Sequence, residues 1–186
     1  EQELLANARA DVAAHLHDSV LQTLALIQRQ ADDPKAVAAL ARKQERELRQ
    51  WLYGESHEAN TVKAALEQAA AQVEDSSSIA VDLVVVGDHD MDVRMDALVR
   101  ATREALLNAA KHSGSERVDV YAEILPDVAE VYVRDRGQGF DTEAVSGDRM
   151  GVRGSIVDRM ARHDGTARVR SAPGAGTEVW LRMELE

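Results

Sequence analysis

Three short segments of this 186-residue chain carry side chains suited to moving a charged group. In Leu16-His17-Asp18-Ser19-Val20-Leu21-Gln22 an imidazole is followed directly by a carboxylate, and a carboxamide stands one helical turn after that carboxylate. A neutral imidazole, with an ordinary pKa of about 6.5, is a usable nucleophile near neutral pH. The adjoining acid can orient it and take up its proton during attack. Gln22 shares a helix face with Asp18, and its amide can hold a water in line with a phosphoryl group on a docked partner. His15 has no acid directly after it and is the weaker nucleophile candidate. Alone, a His-Asp pair reads as solvated surface; the other two segments give it weight.

The second segment is Glu104-Ala-Leu-Leu-Asn108-Ala-Ala-Lys111-His112-Ser113. On a helix, Glu104, Asn108 and the pair Lys111-His112 fall on one face, a turn apart. Mg²⁺ takes hard oxygen ligands and keeps several waters. The Asn108 amide oxygen can supply one ligand, with a triphosphate and water supplying the rest. Glu104 can polarise a water or orient the attacking group, and Lys111 can neutralise phosphate charge. The third segment, Asp135-Arg136-Gly137-Gln138-Gly139-Phe140, follows an apolar strand. A buried carboxylate at a strand end can accept a hydrogen bond from the adenine amino group. Gly137 and Gly139 let the backbone bend and approach the base. Beyond a polar loop, 141–150, Gly151-Val152-Arg153-Gly154-Ser155 opens a helix whose free N–H groups suit phosphate. Thr177, after Gly174 and Gly176, is placed to reach the adenine edge through water.

The elements that must position these residues follow from periodicity. Leu5, Val12, Leu16, Val20, Leu24 and Ile27 form an apolar stripe on a helix over 1–31. Asp32-Asp33-Pro34 breaks it, and Pro34 suits the first turn of a second helix over 35–53, with Val37, Leu40, Leu48 and Leu52 on one side. His17, one position after Leu16, lies at the edge of the stripe, where a second domain can reach it. A lone hairpin cannot cover its own stripe; two copies can, as a four-helix bundle. Gly54 to His57 reads as a hinge. Beyond it helices are expected over Thr61–Val73, Asp92–Lys111 and Gly151–His163, the last closed by Gly165. Strands are expected over Ile79–Val86, Arg117–Leu125, Ala129–Arg134, Thr166–Ser171 and Glu178–Leu185. The fold class is α+β. A helical-hairpin dimerisation domain, 1–55, precedes an α/β two-layer sandwich, 56–186, with a mixed sheet and its helices on one face.

Composition removes several function classes. The net charge of −11 argues against a broad basic face for nucleic acid, and 3% aromatic residues is too few for a base-stacking platform. With no cysteine, disulfides and thiolate metal sites are excluded. No apolar run approaches the length needed to cross a bilayer, and no signal peptide is visible. The chain starts without Met and already in helical pattern, so it is expected to be a fragment lacking its upstream part.

In this order and spacing the motifs resemble the catalytic core of two-component sensor histidine kinases. The His17-Asp18…Gln22 segment is similar to the phosphotransfer helix of the subgroup with His-Asp and a Gln five residues after the His. The stretch from about 58 to 186 resembles the ATP-binding domain those kinases share with gyrase-type topoisomerases, ninety-kilodalton heat-shock chaperones and mismatch-repair ATPases. The resemblance implies that His17 is phosphorylated, that Asp18 is the general base, and that Gln22 with Asp18 supports dephosphorylation of the response regulator. It implies Asn108 as the Mg²⁺ ligand and Asp135 as the adenine anchor. Lys111, His112, Gly137, Gly139, Gly151, Val152, Gly154 and Thr177 would frame ATP, and Glu104 would assist catalysis. Implied partners are a second copy of the chain and a receiver domain. The fragment is expected to be cytoplasmic, without membrane contact of its own, within a membrane-anchored whole. Where the subgroup often has Arg three and six residues before the His, this chain has Ala14 and Asp11. Two other functions fit the same motifs: another ATPase or serine kinase of this fold, and a nucleotide-binding dimeric scaffold.

Overall fold

The computed structural model describes residues 20–52, 60–141 and 148–185. His17, Asp18 and the expected hinge at 54–57 lie outside the described residues. The chain divides into two compact units, Glu1–Ser56 and His57–Glu186.

In the first unit, residues 20–29 form helix α1 and Pro34–Leu52 form α2. Pro34 takes the first helical position, where its missing N–H is one the helix leaves free anyway. Asp33 caps α2 by accepting the Ala36 N–H at 3.2 Å. Leu21, Leu24 and Leu26 of α1 are 50%, 49% and 42% exposed, and Val37, Leu40 and Leu48 of α2 are only partly buried. These apolar side chains retain water contact that a covering partner would remove.

The second unit runs α3 (Val62–Ser76), β1 (Ala80–Gly87), α4 (Val93–His112), β2 (Arg117–Ile124), β3 (Val128–Asp135), α5 (Asp148–Ala161), β4 (Thr166–Ser171) and β5 (Thr177–Glu184). Two helices start where a side chain satisfies their free N–H groups. Thr61 accepts from Ala64 N–H and Asp92 from Met95 N–H. The strands form one mixed sheet in the order β1-β2-β3-β5-β4, with β1 parallel to β2 and the other pairs antiparallel.

Period-two alternation sends Val118, Val120, Ala122 and Ile124 of β2, Ala129, Val131 and Val133 of β3, and Val179, Leu181 and Met183 of β5 to one buried face. The helices pack on that face, α4 against β3 and β5, α5 against β4 and α3 against β1. Alanines 65, 69 and 70 on α3 and 97, 101 and 105 on α4 are buried, and their small side chains let these two helices come close. The opposite face carries a row in register across all five strands: Val84, Tyr121, Tyr132, Trp180 and Arg168. The two Tyr rings lie 6.5 Å apart, and the Arg168 guanidinium sits 4.8 Å from the Trp180 ring centroid. Three of the chain's six aromatics therefore lie on this outer face, and the core of this unit is built from Ala, Val, Leu, Ile and Met.

Three helix ends differ from expectation: α3 runs to Ser76, three residues past Val73, and both ends of the last helix are displaced. The last helix begins at Asp148, three residues before Gly151. It ends in a left-handed residue, but that residue is Asp164, with φ of 61°, and not Gly165. The Gly165 N–H reaches Met160 O at 2.9 Å and the Asp164 N–H reaches Ala161 O at 3.3 Å. These are the paired bonds of a Schellman motif, with Asp164 in the place glycine usually holds.

Candidate functional site

The inward alternation of β3 does not stop at its last apolar residue. Val131 and Val133 are followed on the same face by Asp135, which is only 5% exposed at the strand end. A carboxylate there needs partners. Its Oδ1 accepts the Gly137 N–H at 2.9 Å, and the Thr177 N–H also donates to it. Burial pushes the Asp135 carboxyl above its ordinary value, and these two main-chain N–H groups pull it part of the way back.

Asp135 opens onto a cleft between α4, α5 and the ends of β3 and β5. Ala105, Ala109, Val133, Ile156, Val169 and Val179 give it apolar walls. Asp135 and Thr177 form a polar edge, and Asn108, His112, Ser113, Gly139 and Phe140 complete the lining. Alanine at 105 and 109, on the helix face that also carries Asn108, leaves room for a flat ring. An apolar slot with two hydrogen-bonding groups at one edge suits a purine base.

The loop after β3 is held by main-chain contacts that require glycine. A Cβ on Gly137 would run into the Ser113 carbonyl, and Gly139 has φ of 59° with the Ala172 carbonyl against it. Both glycines thus permit close approach of neighbouring backbone. The Gln138 N–H bonds Ser113 O at 2.8 Å, and the Gly174 N–H bonds Gln138 O at 2.6 Å. The Gln138 side chain also donates to His112 O at 2.6 Å. The loop is thus tied to the end of α4 and to the β4–β5 turn.

The structure gathers Asn108, His112, Asp135, Gly139 and Thr177 around the cleft. Glu104 does not line it; half-buried, it pairs with Arg159 of α5 at 3.4 Å. Lys111 is exposed and off the cleft wall. Gly151, Val152 and Gly154 lie inside α5 and not at its opening, so the free N–H groups of that helix belong to residues earlier in the chain. A Cβ on Gly154 would meet nothing within 4 Å. Gln22 is exposed on α1. Sequence reasoning missed Phe140, Ile156 and the two alanines as lining residues. It also missed Ser171, whose hydroxyl lies 3.0 Å from that of Thr177. The repeat of Ala at 105 and 109, beside Asn108, was a usable signal for the slot.

Among the described residues no group of three or more His, Cys, Asp or Glu side chains is placed to hold a metal. The donor at the cleft is the Asn108 amide. That set fits Mg²⁺ arriving on a triphosphate, which brings its own oxygens and waters.

A two-layer sandwich with an apolar slot and a buried carboxylate at a strand end points to a nucleotide-binding domain. Residues 94–186, half of the chain, match the family described as histidine kinase-, DNA gyrase B- and HSP90-like ATPase. The chain belongs to that family. It is 34% identical over 92 residues to the signal transduction histidine-protein kinase/phosphatase DegS of Bacillus subtilis strain 168, a match covering 48% of this chain and 24% of that protein. It is 31% identical over 90 residues to the sensor histidine kinase LiaS of the same strain, covering 48% of this chain and 25% of that protein. The match thus spans about a quarter of the length of these curated relatives. The histidine kinase domain of the Erythrobacter litoralis EL346 blue-light activated histidine kinase shares the fold. Its TM-score is 0.54 at 17% identity, covering 94% of this chain and 95% of that one. No helix among the described residues is long and apolar enough to cross a membrane.

Proposed function

We propose that this chain is the catalytic core of a sensor histidine kinase that transfers the γ-phosphoryl group of ATP to its own His17. The observation that carries the reading is Asp135, a buried carboxylate aimed into an apolar slot and already partnered by two main-chain N–H groups. Its remaining lone pairs suit the amino group of adenine. Asn108 would hold Mg²⁺ at the triphosphate end, and the ion would supply charge neutralisation at the phosphate oxygens. Asn108 and His112 line the cleft and would position that end. Glu104, paired with Arg159 and one helical turn from Asn108, polarises a water or orients the attacking group. Gly137, Gly139 and Thr177 fix the purine edge.

In the reaction an imidazole nitrogen of His17 forms a bond to the γ-phosphorus as the bond from that phosphorus to the bridging oxygen breaks. ADP leaves, and Asp18 takes the imidazole proton. The phosphoryl group then passes to an aspartate of a response-regulator receiver domain. Gln22 holds the water that later removes it. The half-exposed leucines of α1 and the open side of α2 support a homodimer in which two hairpins form a four-helix bundle. The core works on the cytoplasmic side of a membrane-anchored sensor.

The test is incubation with γ-labelled ATP and Mg²⁺. Label that is lost in acid and kept in alkali, and that His17→Gln does not acquire while still binding ADP, supports the reading. Uptake at the wild-type rate by His17→Gln overturns the acceptor assignment. Label on a serine of a partner protein favours the serine kinase function instead.

A further inference from the structure

We propose that Ser171 decides which purines the cleft accepts, by fixing the direction in which the Thr177 hydroxyl donates its proton; this rests on the reading of the cleft as a nucleotide site. Ser171 is the last residue of β4 and is partly buried. A serine hydroxyl has one proton and two lone pairs, and here all three are committed. The proton goes to the Gly176 carbonyl at 2.9 Å, a group that can only accept. One lone pair takes the Phe140 N–H at 2.9 Å. The other faces the Thr177 hydroxyl at 3.0 Å, so Thr177 is the donor in that bond.

Thr177 therefore turns only lone pairs toward the cleft it lines. The neighbouring Asp135 carboxylate also offers only acceptors. Two acceptors side by side match a ring that presents an amino group at position 6, as adenine does. They oppose a 6-oxo ring such as hypoxanthine, whose oxygen would be a third acceptor at the same edge. A Thr hydroxyl free to rotate would turn its proton toward such an oxygen, and Ser171 removes that freedom. Ser171 does not line the cleft; it acts through Thr177 and is a positioning residue.

The test measures affinities of ADP and IDP for the whole chain by displacement of a fluorescent ADP analogue. The proteins are wild type, Ser171→Ala, Ser171→Cys, Thr177→Val and the double variant Ser171→Ala/Thr177→Val. IDP differs from ADP at the edge in question. Both ligands compete for the same folded molecules, so the ratio of affinities does not depend on how much of a variant folds. Wild type should prefer ADP. Ser171→Ala should reduce that preference about tenfold or more, with Ser171→Cys in between because a thiol is a weaker partner. With Val at 177, adding Ser171→Ala should leave the ratio within roughly twofold, as expected if the two residues act as one unit. A merely structural role would weaken both nucleotides equally and leave every ratio alone. An unchanged ratio in Ser171→Ala, an equal drop in both backgrounds, or a wild type without ADP preference overturns the inference while leaving the nucleotide site in place. A wild type that binds neither nucleotide overturns the nucleotide reading itself.

Discussion

Replacing Asp135 by Asn changes one oxygen for an NH₂ group at nearly constant shape, so its effect isolates hydrogen-bond polarity. The native carboxylate accepts the N–H groups of Gly137 and Thr177 and keeps lone pairs for the cleft. An amide cannot do both. With its oxygen turned to the main chain, it presents NH₂ to the adenine amino group, donor against donor. Turned the other way, it sets NH₂ against a main-chain N–H. A buried polar group left unsatisfied costs about 1–3 kcal/mol, which is roughly a 5- to 150-fold loss of nucleotide affinity. The apo fold should not suffer to match. Burial raises the folded-state pKa of Asp135, so the stability linked to this group is full below its unfolded value and is lost as pH rises through the raised value. At neutral pH the buried charge is a liability that Asn removes, offsetting a weakened main-chain bond. The assays are calorimetric titration with ADP and thermal unfolding with and without nucleotide. The expected pattern is a large fall in affinity, a shrunken nucleotide-induced shift in Tm, and an apo Tm within a few degrees of wild type. Affinity within twofold of wild type would refute the placement of the base amino group at Asp135, whatever happens to stability.

Two further outcomes follow from the same geometry, and a third from the proposed function. ADP affinity should fall on acidification, since a protonated Asp135 turns a donor toward the base; the raised carboxyl places that loss at higher pH than an ordinary carboxylate would, and Asp135→Asn should flatten the titration profile. Gly137→Ala drives a Cβ into the Ser113 carbonyl, so the loop and the end of α4 must part; we expect about 1–3 kcal/mol of destabilisation, seen as a drop of several degrees in Tm, and a Tm equal to wild type would contradict the close approach. Under the proposed function, Gln22→Ala should leave labelling of His17 within a few-fold but slow decay of a phospho-regulator by about tenfold, because an unplaced water is a poor nucleophile; identical decay with both proteins would overturn the role proposed for Gln22.

What the sequence made legible was whatever a single element encodes. Alternation along Arg117–Ile124 and Val128–Asp135 gives both the strands and their buried face, so Asp135 is found by continuing a pattern of valines until it meets a charge. Breaks such as Asp33-Pro34 and helix starts such as those at Thr61 and Asp92 are local too, and these starts fall within a residue of expectation. The misplacements arise where two local signals compete. Gly151 and Gly154 look like a helix opening because glycine frees N–H groups, yet the helix has already begun at Asp148. Gly165 looks like the left-handed cap because glycine is cheapest there, yet Asp164 takes that conformation and Gly165 serves the next bond.

The residues that escaped the sequence are those whose meaning depends on an element far away in the chain. Helical spacing puts Glu104 on the Asn108 face, but only α5, 55 residues later, supplies the Arg159 that draws it into an ion pair off the cleft wall. Ser171 reads as an ordinary strand end until the turn to β5 brings Gly176 and Thr177 to it and the Asp135–Phe140 loop adds an N–H. Fixed donors and acceptors in a cleft come from closed loops, because a hydroxyl can rotate until every other partner around it is set. On the proposed reading, base recognition at this edge rests on the β4–β5 hairpin, which fixes the polarity of Thr177, as well as on Asp135. On that argument, exchanging the turn 172–176 should alter purine preference even with Asp135, Asn108 and Thr177 all in place.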